Sequence, residues 1–214
     1  MTKDKVISRI CDVGLVAVVR ADNADMARRT ADACLEGGVA ALEITFTVPG
    51  AHKVIEELAK AYPGGEMILG AGTVLDPETA RIAILSGAEY VVAPSLNPDT
   101  IRLCNRYQVP CMPGCMSIRE VVEAMECGAD IIKIFPGELF GPAIIKSIKG
   151  PLPQARMMPT GGVNVANAKD WIAAGAVALG AGSSLVAGAK TGDYAKITAT
   201  AREFLAAIRA ARGQ

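Results

Sequence analysis

The chain has 214 residues, half of them apolar (51%), which is enough for one substantial core. Lys plus Arg equal Asp plus Glu at 22 each, so no net field draws nucleic acid or an anionic membrane. Only four Phe, four Tyr and one Trp occur, so the core must be aliphatic and rich in small residues.

Met1-Thr2-Lys3-Asp4-Lys5 leads into an amphipathic helix closing near Val13, not into a signal core, and no apolar run reaches the ~18 residues of a membrane span. Leu15 to Arg20 reads as a buried strand ending in arginine. Asp22 or Asn23 then caps a helix that Gly37-Gly38 stops. Ala41 to Thr45 is the second strand, and a helix runs from about Ala51 to Tyr62. Met67 to Gly70 is the third strand, with Asp76-Pro77 opening the next helix. Tyr90 to Ala93 is the fourth, and Asn97-Pro98 opens its helix in the same way. Val109 to Met112 is the fifth; Ser117 with Glu120 makes a capping box behind it. Ile131 to Pro136 is the sixth, Met157-Met158 the seventh and Val177 to Gly180 the eighth. A last helix, Tyr194 to Arg212, follows.

Eight strand–helix alternations predict an α/β protein of the (β/α)8 TIM-barrel class with an extra N-terminal helix, one domain over residues 1–214. An internal echo supports this. Gly38, Gly87, Gly128 and Gly175 each stop a helix just before an even-numbered strand, about 40 to 50 residues apart.

The sixth strand carries the most unusual residue. Lys133 stands in Ile131-Ile132-Lys133-Ile134-Phe135-Pro136, where a strand buried on both faces gives an amine no route to water. Desolvation disfavours an ammonium, and the neutral amine is the nucleophile of imine chemistry. The same run also fits an edge strand whose lysine faces solvent. Glu43, in Ala-Ala-Leu-Glu-Ile, is a second charge in an apolar strand. It reads either as a partner in a structural ion pair with Arg20 or Lys133, or as an acid/base group.

In a barrel, reactive groups stand at the C-terminal strand ends. These are Arg20, Glu43 with Thr45 and Thr47, Thr73, Pro94-Ser95, Lys133 with Phe135, Thr160-Gly161-Gly162 and Gly182-Ser183-Ser184. The last two segments follow strands seven and eight, where glycine-exposed N–H groups and a helix start suit a phosphate. Gly70-Ala71-Gly72-Thr73 is no dinucleotide fingerprint, because Leu75 stands where the third glycine belongs. Six cysteines without a CxxC pair read as buried thiols of a reducing cytoplasm. His52 is the sole histidine, which leaves no metal-ligand set and argues against metal-dependent chemistry.

Val18-Val19-Arg20, Leu42-Glu43-Ile44-Thr45, Gly70 to Leu75, Lys133-Ile134-Phe135-Pro136 and Pro159-Thr160-Gly161-Gly162-Val163, in this order, resemble the 2-keto-3-deoxy-6-phosphogluconate/4-hydroxy-2-oxoglutarate aldolase family. The resemblance implies a cytoplasmic, homotrimeric class I aldolase that cleaves a phosphorylated keto acid to pyruvate and glyceraldehyde 3-phosphate. It implies no cofactor, no metal, no nucleic acid and no membrane partner. It makes Lys133 the Schiff-base residue and Glu43 the acid/base. Arg20, Thr47, Thr73, Pro94, Phe135 and Thr160 would contact the substrate, and Gly161, Gly162, Gly182 and Ser183 the phosphate. Some members carry arginine at the position of Thr47, which shifts carboxylate recognition toward Arg20. Two other readings use the same residues: a phosphate-binding barrel isomerase or synthase without a covalent intermediate, and a non-catalytic sugar-phosphate sensor.

Overall fold

The computed structural model describes residues 1–214. It opens with α1 (Lys3–Val13), closed by Gly14 in the left-handed region. Strands and helices then alternate: β1 (Leu15–Val19), α2 (Ala24–Glu36), β2 (Ala41–Thr45), α3 (Ala51–Ala61), β3 (Ile68–Gly72), α4 (Pro77–Leu85), β4 (Tyr90–Val92) and α5 (Pro98–Arg106). The expected caps form. Asn23, Asp76 and Asn97 accept from the N–H groups of Met26, Thr79 and Thr100, and Ser117 and Glu120 complete their capping box on α6 (Ile118–Glu126). The four repeated helix-stop glycines share one conformation, with φ of 91°, 104°, 91° and 106° at Gly38, Gly87, Gly128 and Gly175. That region favours glycine, which is why the stop signal recurs.

The expected fifth strand is two pieces, β5 (Cys111–Met112) and β6 (Gly114–Cys115), shifted C-terminally from Val109–Met112. Pro113 between them has no N–H to give a ladder, although its carbonyl accepts from Lys133 N. The chain continues through β7 (Ile132–Ile134), α7 (Ala143–Lys149), β8 (Met157–Pro159), α8 (Val165–Ala173), β9 (Leu179–Ala181), α9 (Ser183–Val186) and α10 (Tyr194–Arg212). The strands form two wholly parallel sheets, ordered β5-β4-β3-β2-β1-β9 and β6-β7-β8. A single parallel bridge, Thr160 to Gly180, joins the second sheet to the first. The architecture is therefore α/β with helices on a parallel sheet, and the expected continuous eight-strand ladder appears as these two arcs. No helix is long and apolar enough to cross a membrane.

Strand alternation sorts the apolar residues into two cores. Leu15, Ala17, Val19, Leu42, Ile44, Leu69 and Ala71 face the helices in the larger one. Val16, Ala41, Ile68, Tyr90, Met112, Ile131, Met158 and Ala178 face the other way, with Val6, Ile7 and Ile10 of α1 packed against them. The extra N-terminal helix thus covers one end of the inner core. Because all strands run in the same direction, their C-terminal ends share the opposite rim, where the candidate residues gather.

Candidate active site

Lys133 sits in the middle of β7, the central strand of its sheet, and is only 5% exposed. This excludes the edge-strand alternative. Its ammonium forms no salt bridge; the nearest cation–π partner is the Phe135 ring, 4.9 Å from Nζ to the centroid. Glu43 is 1% exposed, and its Oε2 has no hydrogen-bond partner in the protein. It joins no ion pair either, so a structural pair with Arg20 or Lys133 is not formed. Burial raises the Glu43 carboxyl above its ordinary value of 4.5, while Lys133 first and Arg20 second pull it back down. The three charges therefore act on one another without closing into contact. Leaving a buried carboxylate and a buried amine unpaired is costly, and such groups cluster at reactive sites.

Glycine makes the room. A Cβ on Gly72, at the end of β3, would collide with the Glu43 carboxylate lying across it. A Cβ on Gly114, paired in register with Lys133, would strike the Pro94 backbone. Pro94 is thereby held against the strand next to the lysine. Thr73, directly after Gly72, adopts φ of 57°, a conformation that costs a non-glycine residue about 1–3 kcal/mol. Thr47 is exposed, and its hydroxyl bonds that of Thr45 at 2.9 Å.

Beside this charged trio is a pocket of about 410 Å³. Arg20, Phe135, Thr160, Gly161, Gly162, Gly182 and Ser183 all line it, so seven predicted site residues converge on one cavity. Glu43, Lys133, Thr73, Pro94 and Thr47 lie outside its wall. A larger depression, of about 470 Å³ between α2 and α10, is walled mainly by charged and small helix side chains on the outer surface. The pocket at the strand ends is the chemically equipped one.

Its floor is made of backbone N–H groups without partners in the chain. Gly161 and Gly162 both have positive φ, 90° and 70°, and the N–H groups of Gly161, Gly162 and Val163 donate to no other group of the chain. Successive unpaired N–H groups form a concave nest for anionic oxygens, and α9 begins beside them at Ser183. Ser184 Oγ donates to the Val163 carbonyl at 2.6 Å and ties α9 to the loop. Ser184, in the expected phosphate segment, also lines the pocket, and so do Asn164, to which the sequence assigned no role, and Glu138, which it missed. Asn164 was within reach: Asn164 and Asn167 form a reciprocal cap on α8 that ends the glycine loop. Glu138 had no local signal, because its place over Gly161 and Gly162 depends on two loops meeting.

The KDPG and KHG aldolase profile matches residues 6–200. The chain belongs to the KDPG and KHG aldolase family. Among relatives, the 2-dehydro-3-deoxy-phosphogluconate aldolase of Pseudomonas aeruginosa is 37% identical over 178 residues, covering 82% of this chain and 80% of that one. The 2-dehydro-3-deoxy-6-phosphogalactonate aldolase of Escherichia coli is 33% identical, over 92% and 94% of the two chains. Among solved structures, KDPG aldolase from Legionella pneumophila, with pyruvate captured as a covalent carbinolamine intermediate, superimposes with a TM-score of 0.83. It is 27% identical, over 88% of this chain and 92% of that one.

Proposed function

We propose that this KDPG/KHG-family chain is a class I aldolase that cleaves 2-keto-3-deoxy-6-phosphogluconate to pyruvate and glyceraldehyde 3-phosphate, and 4-hydroxy-2-oxoglutarate to pyruvate and glyoxylate. The observation that carries the reading is the buried pair without partners, Lys133 and Glu43, beside a pocket floored by free N–H groups. The Lys133 amine adds to the C2 ketone, and the carbinolamine loses water to leave an iminium. Glu43 accepts the C4 hydroxyl proton as the C3–C4 bond breaks. The electron pair of that bond forms the C2=C3 double bond of an enamine, the C=N pair returns to nitrogen and cancels the iminium charge, and the aldehyde departs. Glu43 then returns its proton to C3, and hydrolysis of the imine releases pyruvate and restores Lys133.

In this reading Arg20 meets the carboxylate end, with Thr47, Thr73, Pro94, Phe135 and Thr160 around the keto acid, and Gly161, Gly162, Gly182 and Ser183 take the phosphate. The isomerase alternative uses Lys133 only to pair substrate charge, and the sensor alternative leaves the unpaired buried lysine without a task. The reading also treats residues 1–214 as one domain, with both sheets as arcs of a single eight-stranded barrel. Support comes from β5 and β6 being separated only by Pro113, and from the Thr160–Gly180 bridge across the other gap. A cytoplasmic homotrimer completes it. Free thiols at all six cysteines suit a reducing compartment, and exposed Leu75, Ile82, Leu85, Met116 and Ile118 supply an apolar side for neighbouring copies.

Mass spectrometry after incubation with pyruvate and borohydride tests the mechanism. The expected result is one reduced pyruvate on the peptide containing Lys133, absent from Lys133→Met. Intact protein that binds pyruvate without forming the adduct would falsify the imine route.

A further inference from the structure

Tyr90 opens β4 and is 0% exposed, yet its hydroxyl has no hydrogen-bond partner in the protein. Phenylalanine would fill the same volume without burying a polar atom, so the hydroxyl needs a reason. The strand register places that reason nearby. Glu43 on β2 pairs with Gly70 on β3, and Gly70 pairs with Tyr90 on β4. The Tyr90 ring covers the space where a Gly70 Cβ would stand, and the Glu43 carboxylate covers the corresponding space at Gly72. Positions i and i+2 of a strand face the same way, about 6.6 Å apart. The phenol and the carboxylate therefore enter the same face of β3 from opposite sides, each over a glycine. Both Tyr90 Oη and Glu43 Oε2 are buried on this face without a partner in the protein. A water between them would satisfy a donor and an acceptor that both lack a partner in the protein.

Resting on the aldolase reading above, we propose that Tyr90 is a positioning residue for Glu43: its hydroxyl donates through a buried water to Glu43 Oε2. This bond holds the carboxyl across Gly72 and stabilises its ionised form, ready to accept the C4 hydroxyl proton. The other charges that act on Glu43 are Lys133 on β7 and Arg20 after β1, and the charge of Glu89, next to it in the chain, acts on Tyr90. Glu89 contacts the N-terminal ammonium of Met1 at 3.5 Å, away from the strand-end rim. Tyr90 exchanges no proton with substrate; it acts only on the carboxyl.

The test is the pH dependence of kcat for wild type and Tyr90→Phe, with borohydride trapping of pyruvate measured on both. Glu43 must be ionised to act as base, so activity falls on the acid side as it becomes protonated. Removing a hydrogen bond to the charged form raises the carboxyl pKa, so the acid limb of Tyr90→Phe moves to higher pH by roughly half to one unit. Trapping of pyruvate on Lys133 persists in the variant, because Tyr90 does not touch the amine. An unmoved limb overturns the proposal, and so does an equal loss of kcat at every pH, the mark of a merely structural tyrosine. Wild-type protein that traps no pyruvate overturns the aldolase reading itself, and the role of Tyr90 with it. Infrared spectroscopy of the Glu43 carboxyl supplies a second readout: its bands shift between wild type and Tyr90→Phe if the bond exists and coincide if it does not.

Discussion

The two ends of the parallel strands treat polar groups in opposite ways. At the end covered by α1, three long cations are tied into the fold. Lys3 meets Asp130 and Asn105, each at 2.7 Å, and Arg9 donates to the carbonyls of Gly65 and Glu66. Arg212, from the last turn of α10, reaches the carbonyls of Cys11, Asp12 and Val177 and stitches the C-terminal helix to α1 and to the segment before β9. At the other end, Glu43, Lys133 and Thr160 are buried with open valences, and glycines clear space around them. One end uses polar groups to tie elements together; the other leaves Glu43 Oε2 and Thr160 Oγ1 without partners in the protein. Function and stability can therefore be removed separately.

The largest separation comes from Lys133→Met, a volume-conserving change that deletes the nucleophile and a buried amine together. Cleavage and the borohydride adduct disappear, while the unfolding midpoint stays equal or rises. A simultaneous fall in stability of several kcal/mol would mean that the amine has a structural partner. Glu43→Gln comes next. Loss of the acid/base group lowers kcat by about 10²–10⁴-fold, measured on the intact aldol substrate.

The Glu43 change also alters the pH dependence of stability, in a definite direction. Burial raises the folded carboxyl above 4.5, so between the unfolded and folded values the native state binds more protons than the unfolded state. Stability from this group is full below the ordinary carboxylate range and is lost as pH rises through the raised value. Wild type therefore weakens relative to Glu43→Gln on going from acid toward neutral pH, as read from denaturant midpoints at several pH values. Wild type that holds or gains stability relative to Glu43→Gln as pH rises contradicts this.

Gly161→Ala sharpens the comparison inside the active rim. The substitution forces an L side chain into φ of 90° and against Glu138. KM for the phosphorylated keto acid rises about tenfold, the equivalent of roughly 1.4 kcal/mol, while KM for 4-hydroxy-2-oxoglutarate changes little. Equal effects on both substrates would place the phosphate elsewhere. The smallest effect on catalysis belongs to the opposite end. Arg212→Ala costs about 2 kcal/mol in chemical unfolding, through lost hydrogen bonds from a charged group, and leaves kcat unchanged.

Much of this contrast was legible beforehand, and the gaps have identifiable causes. The caps at Asn23, Asp76, Asn97 and Ser117 are local hydrogen bonds, so the residues that make them announce them. α10 begins and ends where expected, at Tyr194 and Arg212. β3 runs two residues beyond its expected end at Gly70, because Ala71 and Gly72 carry little strand preference of their own and are held by pairing with Ile44 and Thr45. The alternation implied α7, α8 and α9 without giving their bounds; α9 spans four residues, too few to show a helical period. Glu138 is a further case, a pocket residue whose local context is unremarkable.

The order of strands and helices, the glycine stops, the glycine-rich anion loop and the misplaced charges at Glu43 and Lys133 all follow from residues within a few positions of one another. Short-range sterics, capping and hydrophobic period decide them, so the amino-acid sequence alone specifies them. Which polar atoms remain without partners is a different kind of fact. It depends on register between β2, β3 and β4, and on loops after β7, β8 and β9 meeting over one pocket. Parallel strands are paired only through long crossovers, so their neighbours are set by the whole chain's packing. Only the tertiary structure decided that Glu43 lies across Gly72 with no ion pair, and that the Tyr90 hydroxyl is buried on the same face of β3.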